Sequence, residues 1–171
     1  MIQPITQSQQ QRVIDHSMDV LLNASVLLKK NFKPLPILFD LKGKAAGMYC
    51  RRGGKCWIRF NPYIFAKYFV DNLENTVTHE IAHYVVDIVY GKHRVRPHGK
   101  EWVEVMQLLG VDPQRTCEYD LEGIPTKVHQ LFEYVCGCRQ HQLGSRRHKK
   151  IERGQAQYFC KQCQQKLAFD G

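Results

Sequence analysis

Residues 78–83 read T-H-E-I-A-H, which contains the pattern His-Glu-x-x-His, and H-G-K-E-W follows at residues 98–102. Residues four positions apart on a helix share a face, with Cβ atoms about 5–6 Å apart. His79 and His83 can therefore direct both imidazole rings at one metal ion, and Glu80 lies beside that ion with a carboxylate that can move a proton. The pattern predicts a metal-dependent hydrolase whose centre is built on a helix.

A catalytic zinc site needs a third protein ligand and an open position for water. The metzincin class is excluded because Val86 and Val89 stand where that class has glycine and histidine. We expect His98 to be the third ligand, since Gly99 lets the backbone pass closely and Trp102 can anchor the following helix in the core. The alternative ligands are His93, Glu101 and Glu104.

The flanking sequence alternates between helical and extended patterns. Gly53-Gly54 is a two-residue turn between two segments of strand character, and the register that it sets places Cys50 opposite Trp57 and Tyr49 opposite Ile58. Apolar residues at helical spacing indicate three longer helices. The predicted elements are helices over residues 7–31, 73–90 and 99–109, a short helix from residue 63, a strand near residues 35–40, and hairpin strands over residues 46–52 and 55–60.

Seven cysteines in a chain without a visible signal peptide argue for metal ligation in a reducing cytoplasm and against disulfides. C-K-Q-C at residues 160–163 is half of a zinc-binding turn, and C-G-C at residues 136–138 supplies the other half. The usual ribbon has two residues between the first pair, where this chain has one, so His141 or His148 could replace a cysteine. The predicted ligands are Cys136, Cys138, Cys160 and Cys163.

The formal charge of +9 is concentrated near the C-terminus. Residues 139–171 carry eight Lys and Arg side chains against two acidic residues, a net charge of +6. Such asymmetry indicates an anionic partner, with nucleic acid first, although a solvated tail is the alternative. Tyr158 and Phe159 could stack on unpaired bases or pack in a small core. The phosphate contacts are expected from Arg146, Arg147, Lys149, Lys150 and Arg153.

The chain resembles the SprT family. The resemblance rests on His79-Glu80-x-x-His83, on His98-Gly99-x-x-Trp102 and on the cysteine module behind them. It implies a zincin-like protease core, with His79, His83 and His98 as zinc ligands and Glu80 as the catalytic carboxylate, and a C-terminal zinc ribbon. Eukaryotic relatives of the Spartan group are DNA-dependent proteases that digest proteins crosslinked to DNA, whereas some descriptions tie bacterial members to transcription.

Together these features predict an α+β fold. We expect a zincin-like helical core with a small antiparallel β-sheet over residues 1–133 and a zinc ribbon over residues 134–171. The expected function is that of a cytoplasmic zinc metallopeptidase with one catalytic and one structural zinc ion. Its expected partners are DNA, single-stranded or damaged, and DNA-bound protein substrates.

Two alternatives remain open: a non-catalytic, zinc-stabilised module associated with nucleic acid or transcription, and a hydrolase of a non-peptide bond. The edge strand of the hairpin could align an extended substrate by strand addition. The candidates for stabilising the oxyanion are Tyr84, Tyr90, Arg94 and Arg96.

Overall fold

The computed structural model describes residues 2–91, 95–114, 118–125 and 130–171. The chain divides into two compact units, Met1–Thr126 and Lys127–Gly171. Small three-stranded sheets and helices confirm the predicted α+β class. The predicted boundary between residues 133 and 134 falls inside a strand of the second unit, Leu131–Val135. Within the described ranges, we find no helix with the length and apolar character that crossing a membrane requires.

The first unit begins with helix α1, Gln7–Leu27. Thr6 caps it through a reciprocal bond with Gln9, which satisfies backbone groups that a helix start leaves unpaired. The helix predicted over residues 7–31 is present and ends four residues earlier than predicted. Its buried residues are Val13, Ser17, Leu21 and Ala24, whereas Met18 and Leu22 are 43% and 66% exposed.

The sheet of the first unit has the order β1-β3-β2, with β1 at Ile37–Leu38, β2 at Gly47–Arg52 and β3 at Lys55–Phe60. The predicted hairpin register is confirmed, because Cys50 pairs with Trp57 and Tyr49 pairs with Ile58. β1 pairs with β3 in parallel, so the sheet is mixed and not purely antiparallel as expected. β2 lies at an edge of this sheet.

Four helices follow the sheet: α2 at Pro62–Lys67, α3 at Phe69–Asp71, α4 at Val77–Tyr90 and α5 at Lys100–Leu108. A π-helical segment, Asn72–Thr76, runs directly into α4, so the predicted helix over residues 73–90 starts with a wider turn. The fully buried side chains at the centre of this unit include Ile58, Phe60, Val77, Ile81, Val85 and Trp102.

The second unit is a three-stranded antiparallel sheet with one short helix. Its strands are β4 at Leu131–Val135, β5 at Gln140–Gly144 and β6 at Ala168–Phe169, in the order β5-β4-β6. Helix α6 spans Ser145–Glu152. The buried cluster of this unit contains four residues: Tyr134, Leu143, Cys160 and Leu167. So small an apolar core suggests that the unit needs bound metal to hold its fold.

Candidate metal centres

Three histidine side chains of the first unit converge on one point. The Nε2 atoms of His79, His83 and His98 lie 3.0–3.2 Å from one another. Ligand nitrogens held about 2.0–2.1 Å from a tetrahedral zinc ion lie about 3.3–3.4 Å apart, so this triangle fits the ion with little adjustment. Of the alternative ligands, Glu101 and Glu104 are not in the cluster, and His93 lies outside the described residues.

Each histidine is placed by local backbone geometry. α4 supplies His79 and His83 one turn apart, and His98 comes from the turn that precedes α5. His98 has a φ of 55°, a left-handed conformation that is uncommon for residues other than glycine. The next residue must be small, because a Cβ on Gly99 would lie 2.9 Å from the Arg96 carbonyl oxygen. The role expected for Gly99, a close backbone approach, thus has a geometric basis.

Trp102 forms a wall against the three imidazole rings. Its ring centroid lies 4.7 Å from those of His79 and His98 and 5.7 Å from that of His83. The indole Nε1–H donates to the His79 carbonyl oxygen at 3.4 Å, and the side chain is fully buried. Packing against the Trp102 ring limits the rotamers that the three histidine side chains can adopt, and a preformed metal site requires such fixed side chains.

The surroundings hold these histidines neutral. Burial, reinforced by the neighbouring histidines, lowers the pKa of His79 to about 4 and that of His83 to about 3. A hydrogen bond with the Gln114 backbone acts on the pKa of His79 in the opposite direction. Metal binding needs the neutral imidazole, so at neutral pH these rings do not have to lose a proton first.

Glu80 is a buried carboxylate in the same cavity. Its Oε2 accepts a hydrogen bond of 2.6 Å from the Tyr49 backbone N–H on β2, while burial raises the pKa of Glu80 to about 7. The strand passes so close that a Cβ on Gly47 would lie 2.7 Å from both Cγ and Oε1 of Glu80. Glycine is therefore required at position 47, and β2 determines where the carboxylate lies.

A cavity of about 520 Å³ contains the three histidines and Glu80. Of the candidates for stabilising the oxyanion, Arg96 lines this cavity, whereas Tyr84 and Tyr90 do not. The Tyr84 hydroxyl instead donates to the Lys33 carbonyl oxygen. Arg94 lies outside the described residues. Two lining residues that sequence reasoning missed are Asn75 and Tyr119. Asn75 lies one turn before His79 and could have been found from helical spacing, but the loop that carries Tyr119 has no periodic pattern.

The second cluster consists of the four predicted cysteines. Their sulfur atoms all lie within 4.8 Å of one another, with 3.5 Å between Cys136 and Cys138 and 3.7 Å between Cys138 and Cys160. Sulfurs about 2.3 Å from a tetrahedral zinc ion lie about 3.8 Å apart, so the donor set fits zinc. In the short C-G-C turn the Gly137 N–H donates to Gln165 Oε1 at 2.6 Å. A Cβ at position 137 would lie 2.3 Å from that oxygen, so the Gln165 side chain would have to move.

The two histidines considered as substitutes have different positions. His141 Nε2 lies 3.2 Å from the Cys136 sulfur, so this ring contacts the cluster from outside the four-sulfur group. His148 is buried, stacks on Phe132 with ring centroids 3.6 Å apart and bonds to the Tyr134 hydroxyl through Nδ1. The structure does not bring His148 to the cysteines, because the apolar core of the unit takes up its ring.

The predicted basic residues lie together around α6. His148 turns into the core, and the basic side chains on either side of it are exposed. The Arg147 guanidinium lies 5.6 Å from the centre of the Tyr158 ring, and Phe159 is 54% exposed. Tyr158 packs partly against the small core, so Phe159 is the more accessible aromatic side chain. The exposed set is Arg146, Arg147, Lys149, Lys150 and Arg153.

Comparison with known proteins gives the family. The SprT-like family model matches residues 19–122, and the model of the SprT-like zinc ribbon domain matches residues 130–171. Protein SprT of Vibrio parahaemolyticus is 39% identical over 155 residues, which are 90% of this chain and 89% of that protein. Protein SprT of Cronobacter sakazakii is 36% identical with the same coverage, and that of Escherichia coli O157:H7 is 34% identical over 92% of both chains.

These matches agree with the chemistry of the two clusters. The family's zinc ribbon covers the four cysteines, and the histidine cluster lies within the range of the SprT-like match, so the two donor sets indicate a zinc-binding protein. The chain belongs to the SprT-like family and has that family's zinc ribbon domain at residues 130–171.

Proposed function

We propose that this protein is a zinc metallopeptidase that cleaves DNA-associated proteins, with one zinc ion on His79, His83 and His98 and a second on the four cysteines. The observation that carries the proposal is the convergence of three Nε2 atoms in a cavity that also contains the Glu80 carboxylate. A module that only binds zinc gains nothing from a buried carboxylate beside the ligands, and burial of that group is costly. A hydrolase needs a base at that place.

His79, His83 and His98 would hold the zinc ion, which would supply Lewis acidity toward a substrate carbonyl and lower the pKa of water to about 7. Glu80 accepts a proton from the attacking water and passes it to the departing amine. In the metal-free site burial raises the pKa of Glu80 to about 7, which favours uptake of a proton by this carboxyl. The Tyr49 N–H fixes the orientation of the carboxylate during both transfers.

β2 supports an extended peptide as the substrate. It is an edge strand, and Gly47, Met48 and Tyr49 line the cavity. Backbone groups of alternate residues point away from the partner strand. The Tyr49 N–H points outward to Glu80, so the backbone N–H and C=O of Gly47, two residues earlier on the strand, point outward too. The Tyr49 N–H is already bonded, so strand addition is proposed on the Gly47 side of this edge.

The basic surface around α6 supports the DNA part of the proposal. Five exposed Lys and Arg side chains within eight residues can contact phosphates without reading sequence. Phe159 is exposed in the same unit and offers a face for an unpaired base. The same surface favours the second candidate function, a zinc-stabilised nucleic-acid-binding module without catalysis. We propose the cytoplasm as the compartment, since reducing conditions keep cysteine thiols available to zinc.

The deciding experiment counts zinc and measures cleavage on the same protein. Zinc per chain is determined first, and a DNA-binding protein is then incubated with the full chain, with and without single-stranded DNA. Glu80→Gln serves as the control, because the amide keeps the size of the side chain but cannot accept the proton. Two zinc ions and cleavage that the variant lacks support the peptidase. One zinc ion and no cleavage support the binding module.

A further inference from the structure

Asp87 links β2 to α4 two helical turns after Glu80. Its side chain is 5% exposed, and its two oxygens accept hydrogen bonds from two residues of β2. Oδ1 accepts from Arg51 Nη1 and Oδ2 accepts from the Tyr49 hydroxyl, both at 2.6 Å. Charge-assisted bonds of this length are among the strong ones, and loss of a partner of the buried Asp87 carboxylate is costly although the Arg51 side chain is 34% exposed. Asp87 therefore binds the strand firmly to the helix.

Tyr49 connects this pair to Glu80. Its hydroxyl donates to Asp87, and its backbone N–H donates to Glu80 Oε2 at 2.6 Å. From Glu80 to Asp87, α4 advances about 10 Å, and from Tyr49 to Arg51, β2 advances about 7 Å. The strand and the helix thus run side by side with bonds at both ends, and Tyr49 takes part at each end.

We propose that Asp87 is a positioning residue for Glu80: by holding the side chains of Tyr49 and Arg51 it fixes β2 against α4, so that the Tyr49 N–H keeps the Glu80 carboxylate in one orientation. The consequence for cleavage rests on the proposed peptidase function. The positional relationship does not, because it is a property of the folded chain. The tolerance is narrow, because a Cβ at position 47 would lie only 2.7 Å from the Glu80 side chain.

Asp87 also lines the cavity, but its contacts distinguish positioning from direct chemistry. Both of its oxygens accept from β2 side chains. Glu80 is the carboxylate one residue after the first histidine of the cluster. Asp87 therefore acts on the reaction through the strand that it holds.

The test uses the full-length, zinc-loaded protein and two Asp87 variants. Asp87→Ala removes both acceptors, and Asp87→Asn restores one acceptor without the charge. Val85→Ala is the control for general destabilisation, since Val85 is fully buried on the same helix and does not line the cavity. Asp40→Asn is the control for a lost ion pair, since Asp40 bonds Arg59 of the same hairpin at 2.8 Å.

The first readout is hydrogen exchange of the Tyr49 amide, followed by NMR after ¹⁵N labelling of the eight tyrosines. If Asp87 positions β2, exchange of this amide is about tenfold or more faster in Asp87→Ala than in Val85→Ala, and intermediate in Asp87→Asn. Asp40→Asn leaves it unchanged. Equal exchange in Asp87→Ala and Val85→Ala would overturn the proposal.

The second readout is cleavage. We expect kcat of Asp87→Ala to fall about tenfold to a hundredfold with KM and zinc content unchanged, and Asp87→Asn to recover part of the loss. A rise in KM at constant kcat would overturn the proposal, since it would assign Asp87 to substrate binding. If the unmodified protein cleaves nothing, the proposed peptidase function fails, and the exchange rates still decide whether Asp87 positions Glu80.

Discussion

The indole of Trp102 lies against the His79 ring, with centroids 4.7 Å apart and its N–H directed to the His79 backbone carbonyl oxygen. This contact makes Trp102 a reporter of the histidine cluster. The chain has two tryptophans, so Trp57→Phe leaves Trp102 as the only source of indole fluorescence. Any metal bound by the three histidines then lies next to the one fluorescent ring.

We therefore predict that cobalt added to zinc-free Trp57→Phe strongly quenches its fluorescence, because an absorbing ion on the histidines lies next to the indole. The titration is repeated with Cys160→Ser and Cys163→Ser, which remove ribbon ligands and should leave the quenching in place. Adding His98→Ala should abolish it, since two histidines alone bind a tetrahedral ion weakly. Quenching that survives loss of His98 would contradict the predicted ligand set.

Gly47→Ala should damage the site from the side of the sheet. The added Cβ would lie 2.7 Å from Glu80 Cγ and 2.9 Å from Thr76 Cγ2, so Glu80 has to move. Overpacking of this kind costs about 1–3 kcal/mol of unfolding free energy, and we expect kcat to fall at least about tenfold. Urea unfolding and single-turnover cleavage measure the two effects. Gly144→Ala is the control for the Gly to Ala change, because a Cβ there meets nothing within 4 Å, and it should leave cleavage unchanged.

Local patterns predicted the parts of this protein that depend on neighbours in the chain. The four-residue spacing of His79 and His83 is a helix property, and the turn Gly53-Gly54 sets the hairpin register. The contacts that place Glu80 come from far along the chain, since Tyr49 and Gly47 precede it by more than thirty residues. Nothing in the local pattern of either segment indicates that pairing.

The errors have a similar physical origin. The apolar residues of α1 lie on two overlapping helical faces, and spacing alone does not indicate which face is buried. The short spacing of the first cysteine pair made His141 and His148 equal candidates for a substitute ligand, but only three-dimensional packing shows that Phe132 covers the His148 ring. β1 pairs in parallel with β3, and this direction was not predicted because the sequence of a short extended segment does not indicate how the strand will pair.

Removal of zinc should make stability depend on the protonation of Glu80. Burial raises the pKa of this carboxyl from 4.5 to about 7. A carboxyl whose pKa rises on folding stabilises the folded state fully below pH 4.5, and that stabilisation is lost as the pH rises through 7. Zinc-free protein should thus lose about 3 kcal/mol between these values relative to Glu80→Gln.

The measurement is a set of urea unfolding curves from pH 5 to pH 8 on the zinc-free protein and on zinc-free Glu80→Gln. Both chains contain the same cysteines and histidines, so the other titrating groups cancel in the difference. We expect the free energy of unfolding of the variant to increase relative to that of the parent protein as the pH rises. A constant difference across this range would mean that the buried carboxylate is not what destabilises the zinc-free site.

Neutralising the basic surface should weaken DNA binding without changing its sequence preference. Lys149 and Lys150 are exposed on α6, and each phosphate contact with a single strand contributes about 0.7 to the slope of log affinity against log salt. The double variant Lys149→Gln and Lys150→Gln should lower this slope by up to about 1.4. Fluorescence anisotropy with single-stranded oligonucleotides of two unrelated sequences, over a range of salt, measures both properties.

The control removes the same charge from the other unit, through Lys33→Gln and Lys42→Gln, whose parent side chains are also exposed. If the contacts are local to α6, this pair leaves the salt slope unchanged, since no phosphate contact is lost. Equal effects of the two double variants would mean that net charge attracts DNA and that α6 has no special part. A change confined to the α6 pair would support the ribbon as the element that contacts phosphate.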